Sequence, residues 1–280
     1  MPTRDATKAS LVARSGTRQN LVAVAPEAAP PTAPSSRALR RLHAVTSEAL
    51  SHDDSPVGPS TGWGVLHLFC KPRPGAEARS LLAAIDSAQK DECQVVTAAM
   101  LGHKADICVL ALGADLRALR RLQTDLQTGG LDVVDSYVSL TEVSEYAAGV
   151  PEEMKQARLY PTLPPEGKPA MCFYPMSKRR APGAENWYTL SFEDRLELMR
   201  GHGTAGREFR GRVLQLVTGS AGLDDWEWGV TLFGVHLDDL KECVYSMRFD
   251  EASARYADFG PFYTGMVAEP AAVLSGVGIR

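Results

Sequence analysis

Asp106-Ile-Cys-Val-Leu-Ala-Leu-Gly113, followed by Leu116 and Leu119, matches Glu227-Trp-Gly-Val-Thr-Leu-Phe-Gly234, followed by Leu237 and Leu240. Each stretch is a short apolar run that ends in glycine and hands over to leucines at helical spacing. All these positions are related by one offset of 121 residues. Around the first stretch, Gly64–Cys70, Gln94–Met100, Asp106–Leu112 and Leu131–Leu140 read as strands, and Ala76–Gln89 reads as a helix. Leu116, Leu119, Leu122 and Leu126 mark a second helix. Around the other stretch, Ala170–Met176, Arg212–Thr218 and Glu227–Phe233 read as strands. Ser191 to His202 reads as a helix opened by a capping box of Ser191 and Asp194. Leu237, Leu240, Val244 and Met247 mark its successor. Each half thus reads β-α-β-β-α-β, the ferredoxin-like unit. The expected fold is α+β, with two ferredoxin-like repeats forming a dimeric α+β barrel. Pro-Gly-Ala-Glu also occurs twice, at Pro74 and Pro182. A period this long suggests a duplicated domain rather than a solenoid, the alternative being chance likeness of two strand–helix units.

The chain has 280 residues, with 30 basic against 34 acidic side chains and a net charge of −4. That balance argues against a general nucleic-acid surface, and no apolar run is long enough to span a membrane. Residues 1–60 hold no Phe, Trp or Tyr but 7 of the 18 prolines. Such a stretch buries too little apolar surface to offset its ordering entropy. It reads as a disordered tail with one short helix near Arg37–Leu50. The expected divisions are the tail 1–60, an N-terminal half 61–165 and a C-terminal half 166–280. Beyond the tail the chain carries −6. Cys70, Cys93, Cys108, Cys172 and Cys243 are odd in number, irregular in spacing and set in apolar runs. They read as reduced, buried thiols of a cytoplasmic protein.

Gly201-His-Gly-Thr-Ala-Gly206 satisfies the dinucleotide-binding fingerprint in letters only, because a helix pattern runs straight into it where a strand is needed. His202 follows Leu196 and Met199 on that helix. It reads either as an ordinary satisfied histidine or as an axial haem ligand with an open flank. No second histidine stands at metal spacing, which disfavours zinc. Tyr174-Pro-Met-Ser-Lys-Arg-Arg180 ends a strand beside three cations. It reads as a solvated basic loop or as a site for carboxylates or phosphates, a patch that Arg158, Lys168 and Arg207 can extend. Trp187, Tyr188, Trp226 and Trp228 supply flat apolar surface, for a core or for a cofactor wall.

The run from Cys172 to Met266 resembles the coproheme decarboxylases of the chlorite dismutase superfamily. The residues that carry the resemblance are Tyr174-Pro-Met-Ser-Lys-Arg-Arg180, Asn186-Trp-Tyr188, Leu198-Met-Arg-Gly-His-Gly-Thr-Ala-Gly-Arg207, Trp226-Glu-Trp-Gly-Val230 and Met247-Arg-Phe-Asp-Glu-Ala-Ser-Ala-Arg-Tyr256. Gly102-His-Lys-Ala-Asp106 extends it more weakly into the first half. The resemblance implies two ferredoxin-like halves, a homopentamer, and Fe-coproporphyrin III (coproheme) held by the C-terminal half. It implies hydrogen peroxide as oxidant and haem b as product, with a ferrochelatase as a possible partner. His202 matches the proximal iron ligand, Tyr174 the radical-forming tyrosine, and Lys178 a lysine that places the reacting propionate. Met176 matches a pocket residue, Gln215 the distal glutamine, and Trp187 an aromatic at the porphyrin edge. Arg158 and Ser253 match propionate-binding positions. Chlorite dismutases carry a distal arginine where Gln215 stands, so the resemblance does not extend to chlorite conversion. Some actinobacterial decarboxylases use a distal histidine, and none stands between Leu140 and Tyr174. A ligating histidine needs an acceptor for its other ring N–H, for which Asp250 and Glu251 are the candidates.

Overall fold

The computed structural model describes residues 57–183 and 185–280. The helix expected near Arg37–Leu50 and nearly all of the expected tail lie outside the described residues. In chain order the elements are β1 (Gly64–Pro72), α1 (Ala78–Lys90), β2 (Gln94–Leu101), β3 (Ile107–Gly113), α2 (Leu116–Thr128), β4 (Leu131–Thr141) and α3 (Glu152–Leu159). They continue with β5 (Ala170–Lys178), a 3-10 turn at Trp187–Thr189, α4 (Phe192–Arg207), β6 (Val213–Gly219), β7 (Trp228–Gly234) and α5 (Leu237–Met247). The last are α6 (Glu251–Tyr256), β8 (Ala257–Phe259), β9 (Tyr263–Val267) and α7 (Pro270–Gly276). Among the described residues no helix is long and apolar enough to cross a membrane.

The strands pair antiparallel in the order β7-β6-β4-β1-β3-β2-β9-β5-β8. β5 also pairs with β7 from Ala170↔Gly234 to Met176↔Trp228, so the sheet closes on itself with β8 at its side. In the first half the order is β4-β1-β3-β2. In the second, β9-β5-β7-β6 places last, first, third and second strands in the same sequence.

Strand parity sorts the side chains into layers, because alternate residues face opposite sides. Phe69, Tyr137, Met171, Phe173, Leu216, Phe233 and Tyr263 meet inside the closed sheet. Leu66, Leu68 and Cys70 point outward beneath α1, α2 and α7, against Leu81, Ile85, Leu119, Leu122, Leu126 and Val273. β1 is buried along its first seven residues, apolar but for His67, because both of its faces are covered. Asp115 caps α2 by accepting the Arg117 N–H at 2.9 Å. The turn after α2 needs glycine: at Gly130, with φ +106°, a Cβ would lie 2.6 Å from Ala76 Cα.

On the outer face of the second half, Cys172, Tyr174, Phe209, Val213, Val230, Leu232, Leu240 and Cys243 form a separate cluster beneath α5. Ser191 caps α4 as the sequence leads one to expect, accepting the Asp194 N–H at 3.1 Å and donating to its carboxylate at 2.9 Å. The helix departs from its expected end at His202. It continues through Gly201, Gly203 and Gly206 to Arg207, although each glycine costs up to about 1 kcal/mol against alanine. The letters of the dinucleotide fingerprint therefore lie inside a helix, with no strand leading into them.

The closed interior should be costly to thin. Phe233→Ala is expected to lower stability by about 3–5 kcal/mol, whereas Leu101→Ala, at 53% exposure, should stay within about 0.5 kcal/mol. Denaturant midpoints of the two variants check this, and equal costs would contradict the layer assignment.

Candidate functional site

Period-two alternation puts Tyr174, Met176 and Lys178 on one face of β5. That face is the outer one, since Met171 and Phe173 fill the interior. Gln215 lies in register with Leu232, and Leu232 with Cys172, so β6, β7 and β5 carry these side chains as neighbouring rows. α4 and α5 lie over this surface. The Gln215 amide donates to Cys243 Sγ on α5 at 3.6 Å, and its nitrogen lies 3.8 Å from where a Cβ of Gly206 would stand.

His202 is the centre of the arrangement. Its Nδ1 is 3.0 Å from Asp250 Oδ2 and 3.4 Å from Ser253 Oγ. Asp250 in turn caps α6, its other oxygen accepting the Ala252 N–H at 3.0 Å and the Ser253 N–H at 3.4 Å. Burial works to raise the Asp250 carboxyl, but the hydrogen bonds from His202 and Ser253 outweigh it and hold the group below its ordinary value. A carboxylate fixed in this way orients the imidazole and commits Nδ1, leaving Nε2 with a lone pair for a metal. Of the two candidate acceptors, Asp250 is the one in place. Glu251 instead pairs with Arg255 at 2.8 Å.

Lys178 is 7% exposed. Its ammonium donates to the Ala252 carbonyl at 3.0 Å and lies 4.3 Å over the ring of the buried Trp187. Burial lowers its pKa to about 8, against the pull of Asp250 and Glu227. Its backbone N–H is held by Glu227 at 2.8 Å. Tyr174 is buried between aromatic neighbours, Phe262 at 4.7 Å and Phe259 at 5.7 Å between ring centroids. Burial pushes its phenol well above the ordinary value, with Cys172 and Cys243 adding and Arg248 opposing.

The other expected residues are dispersed. Arg158 is exposed on α3 and makes no hydrogen bond or ion pair among the described residues. Lys168 is turned to the carbonyls of Gly211 and Arg212. Arg207 donates to Thr204 on its own helix at 2.7 Å. Arg179 is bound to Glu185 and Asp258 at 3.1 and 3.0 Å. Of the dense basic motif, Lys178 alone is buried in the site. Ser253, expected at a propionate, lies against His202 and Asp250. Phe259 and Phe262 are not singled out by the sequence, and no spacing rule marks them. Tyr146 and Arg195 escape it as well: Arg195 joins Tyr146 and Glu145 at 3.2 and 3.0 Å and so ties the loop after β4 to the first turn of α4.

The residues fit an axially bound planar cofactor. Among the described residues no three His, Cys, Asp or Glu side chains come close enough to chelate an ion, so His202 offers one bond rather than a cage. α4, sixteen residues long, has no buried residue. Its inner positions are small at Gly203, Ala205 and Gly206, and a Cβ at Gly201 would meet open space. A flat, unfilled helix face over an apolar sheet, with one oriented histidine, is what a ring ligated at its metal requires.

The family model described as Chlorite dismutase matches residues 75–268. A curated relative from Natronomonas pharaonis, whose name proposes heme binding, is 38% identical over 252 residues. The match takes in 79% of this chain and 41% of that protein, so the chain spans about two fifths of the relative's length. A solved heme-binding protein of Thermus thermophilus is 34% identical with a TM-score of 0.71, covering 80% of this chain and all of that one. Chlorite dismutase of Candidatus Nitrospira defluvii, solved with imidazole, shares the fold at a TM-score of 0.62 and 18% identity, over 78% of this chain and 96% of that one. This chain belongs to the chlorite dismutase family.

Proposed function

We propose that the chain is a coproheme decarboxylase, binding Fe-coproporphyrin III and oxidatively removing two of its propionate carboxyls with hydrogen peroxide to give haem b. One conversion takes R–CH2–CH2–COOH and H2O2 to R–CH=CH2, CO2 and water, two molecules of water balancing the atoms. One observation carries the reading: Tyr174, Met176 and Lys178 share one sheet face, and Lys178 on it reaches the Ala252 carbonyl beside the His202–Asp250 pair. The heme-binding relatives support the cofactor class. We also infer that the two halves are ferredoxin-like copies forming one barrel, and that the protein works as a cytoplasmic homopentamer supplied by a ferrochelatase.

When bound, the iron porphyrin supplies the redox chemistry. The chain supplies placement. His202 binds through Nε2 while Asp250 holds its Nδ1–H, fixing both tautomer and ring orientation. Lys178 offers a positive charge in a water-poor site, where its attraction to a propionate is strong. Tyr174, kept protonated by burial between Phe259 and Phe262, would present a phenol O–H able to give up an electron and a proton to the oxidised cofactor. Phe259, Phe262 and Met176 keep the region apolar, and Gln215 presents a neutral amide.

Four outcomes test this. Tyr174→Phe should keep coproheme binding and lose decarboxylation, read by mass spectrometry of the porphyrin after peroxide; normal loss of two carboxyls would remove Tyr174 from the reaction, and binding without turnover in the native chain would make it a heme carrier. His202→Ala should change the iron spectrum, and an unchanged spectrum would mean another ligand. Asp250→Asn should weaken iron binding or turnover roughly 10–100-fold, with the spectrum shifted because the imidazole is less firmly oriented. Finally, Lys178 loses its charge as pH rises through about 8. Coproheme affinity should fall across that range in the native chain and stay flat in Lys178→Met. The stability effect has the opposite sign: a lysine with a lowered folded pKa makes the fold more stable as pH rises from about 8 towards the ordinary lysine value.

A further inference from the structure

The stretches Asn186-Trp-Tyr188 and Trp226-Glu-Trp228 meet at a carboxylate to which the proposed reaction gives no role, that of Glu227. This half-buried residue stands just before β7, where the ladder between β5 and β7 has ended at Met176↔Trp228. Its backbone N–H donates to the Met176 carbonyl at 3.1 Å and to Ser177 Oγ at 3.2 Å. Its carbonyl accepts the Ser220 N–H at 2.8 Å. Beyond the last strand pair the side chain continues the ladder, Oε2 accepting the Lys178 N–H at 2.8 Å. A carboxylate acceptor makes such a bond stronger than a neutral carbonyl would.

The same carboxylate accepts the Tyr188 hydroxyl, and burial together with that bond pushes the phenol above its ordinary value. Tyr188 belongs to the 3-10 turn Trp187–Thr189, and the Trp187 N–H of that turn donates to the Arg179 carbonyl at 3.0 Å. The turn and the end of β5 are therefore tied twice, once through the backbone and once through Glu227. Between the ties lies the Lys178 ammonium, 4.3 Å from the centre of the Trp187 ring and 3.0 Å from the Ala252 carbonyl. Two carboxylates act on this charge against its burial, Asp250 from α6 and Glu227 from the start of β7. Arg179, the next residue along, is turned to Glu185 and Asp258. Asp250 is already committed to His202 and to the cap of α6. The side-chain bonds of Glu227 go instead to the strand end and the turn that hold Lys178 and Trp187.

We propose that Glu227 is a positioning residue for the propionate site: its carboxylate joins the end of β5 to the Trp187–Thr189 turn and so fixes the Lys178 ammonium against the Trp187 ring. The proposal rests on the coproheme reading for what Lys178 holds, but not for where Lys178 is held. A lysine carries its charge on a long flexible stem. Held between an indole face and a carbonyl, the ammonium has lost that freedom before a carboxylate arrives, so the ordering cost does not fall on binding. The Glu227 charge also offsets the desolvation of the ammonium and keeps it cationic at neutral pH.

The first test needs no porphyrin. The full chain is labelled with carbon-13 lysine, and the Lys178 Cε signal, assigned by its loss in Lys178→Met, is followed by NMR as pH rises. In the native chain it should titrate at about 8 and show the upfield displacement of a group held against the Trp187 ring. Glu227→Gln keeps a carbonyl oxygen for the Lys178 N–H and removes the charge, so it should fold normally and titrate roughly one pH unit lower. Glu227→Ala removes the tie as well and should lose the upfield displacement. Glu142→Gln is the control: this acid borders the same cavity as Glu227 but bonds the Trp228 indole, and Lys178 should be unmoved. An unmoved midpoint in Glu227→Gln, an equal shift in Glu142→Gln, or an undiminished displacement in Glu227→Ala would overturn the proposal. A second test uses coproheme binding. Glu227→Gln should weaken it about threefold near pH 7.5 in the native background and leave it unchanged in the Lys178→Met background. Equal weakening in both would mean that Glu227 acts elsewhere. If the native chain binds no coproheme, the decarboxylase reading falls, and the porphyrin-free titration still decides whether Glu227 places Lys178.

Discussion

β5 is the strand on which both the fold and the site depend. Its pairing with β7 closes the sheet, and its pairings with β9 and β8 tie that closure to the end of the chain. Because the strand is covered on both sides, its parity divides the molecule. Met171 and Phe173 belong to the interior, while Cys172, Tyr174, Met176 and Lys178 belong to the helix-covered surface. A one-residue slip would exchange the two sets. The apolar interior therefore fixes the register that brings Tyr174 beneath α5 and Lys178 to the Ala252 carbonyl of α6.

The site is also a case of electrostatic economy. Its central hydrogen bond joins His202 to Asp250, and the same carboxylate caps α6 and faces the buried Lys178 ammonium. A single anion thus orients the histidine, starts a helix and partly offsets the desolvation of a lysine. Such a shared group is hard to replace piecemeal, since removing one charge leaves another buried without compensation.

Much of this is legible in the sequence, for physical reasons that can be named. Strands such as Ile107–Gly113 are continuously apolar because both faces are buried, and leucines at 119, 122 and 126 recur because one helix face is. The Ser191–Asp194 cap is a local interaction and is readable as such. Tyr174, Met176 and Lys178 can be placed on one face from alternation alone. Asp250 is one of two candidates, and only the fold chooses between them, since its partner is 48 residues away. The end of α4 defeats a local reading because glycine propensity is a local quantity and the helix is held by its surroundings. Phe259, Phe262 and Arg195 escape notice because their roles come from strand β8, the loop before β9 and the loop after β4, connections with no periodic signal. The basic motif at 178–180 reads as one patch, yet its members diverge: Lys178 turns inward and Arg179 outward to Glu185 and Asp258.

The glycines of α4 have a consequence for how a ligand enters and leaves. A helix with no fully buried residue and three glycines is expected to open locally at less cost than the strands beside it, although Leu198 and Met199 pack against Trp187 and Tyr256. A flat ring laid against that face, as proposed, would supply the packing the helix lacks, and part of its binding energy would go into quieting α4. Its affinity would be reduced by that amount, and in exchange the ring would be admitted and given up without disturbing the closed sheet. The rigid half of the site stays on β5, β6 and β7, and the compliant half is the one that carries His202.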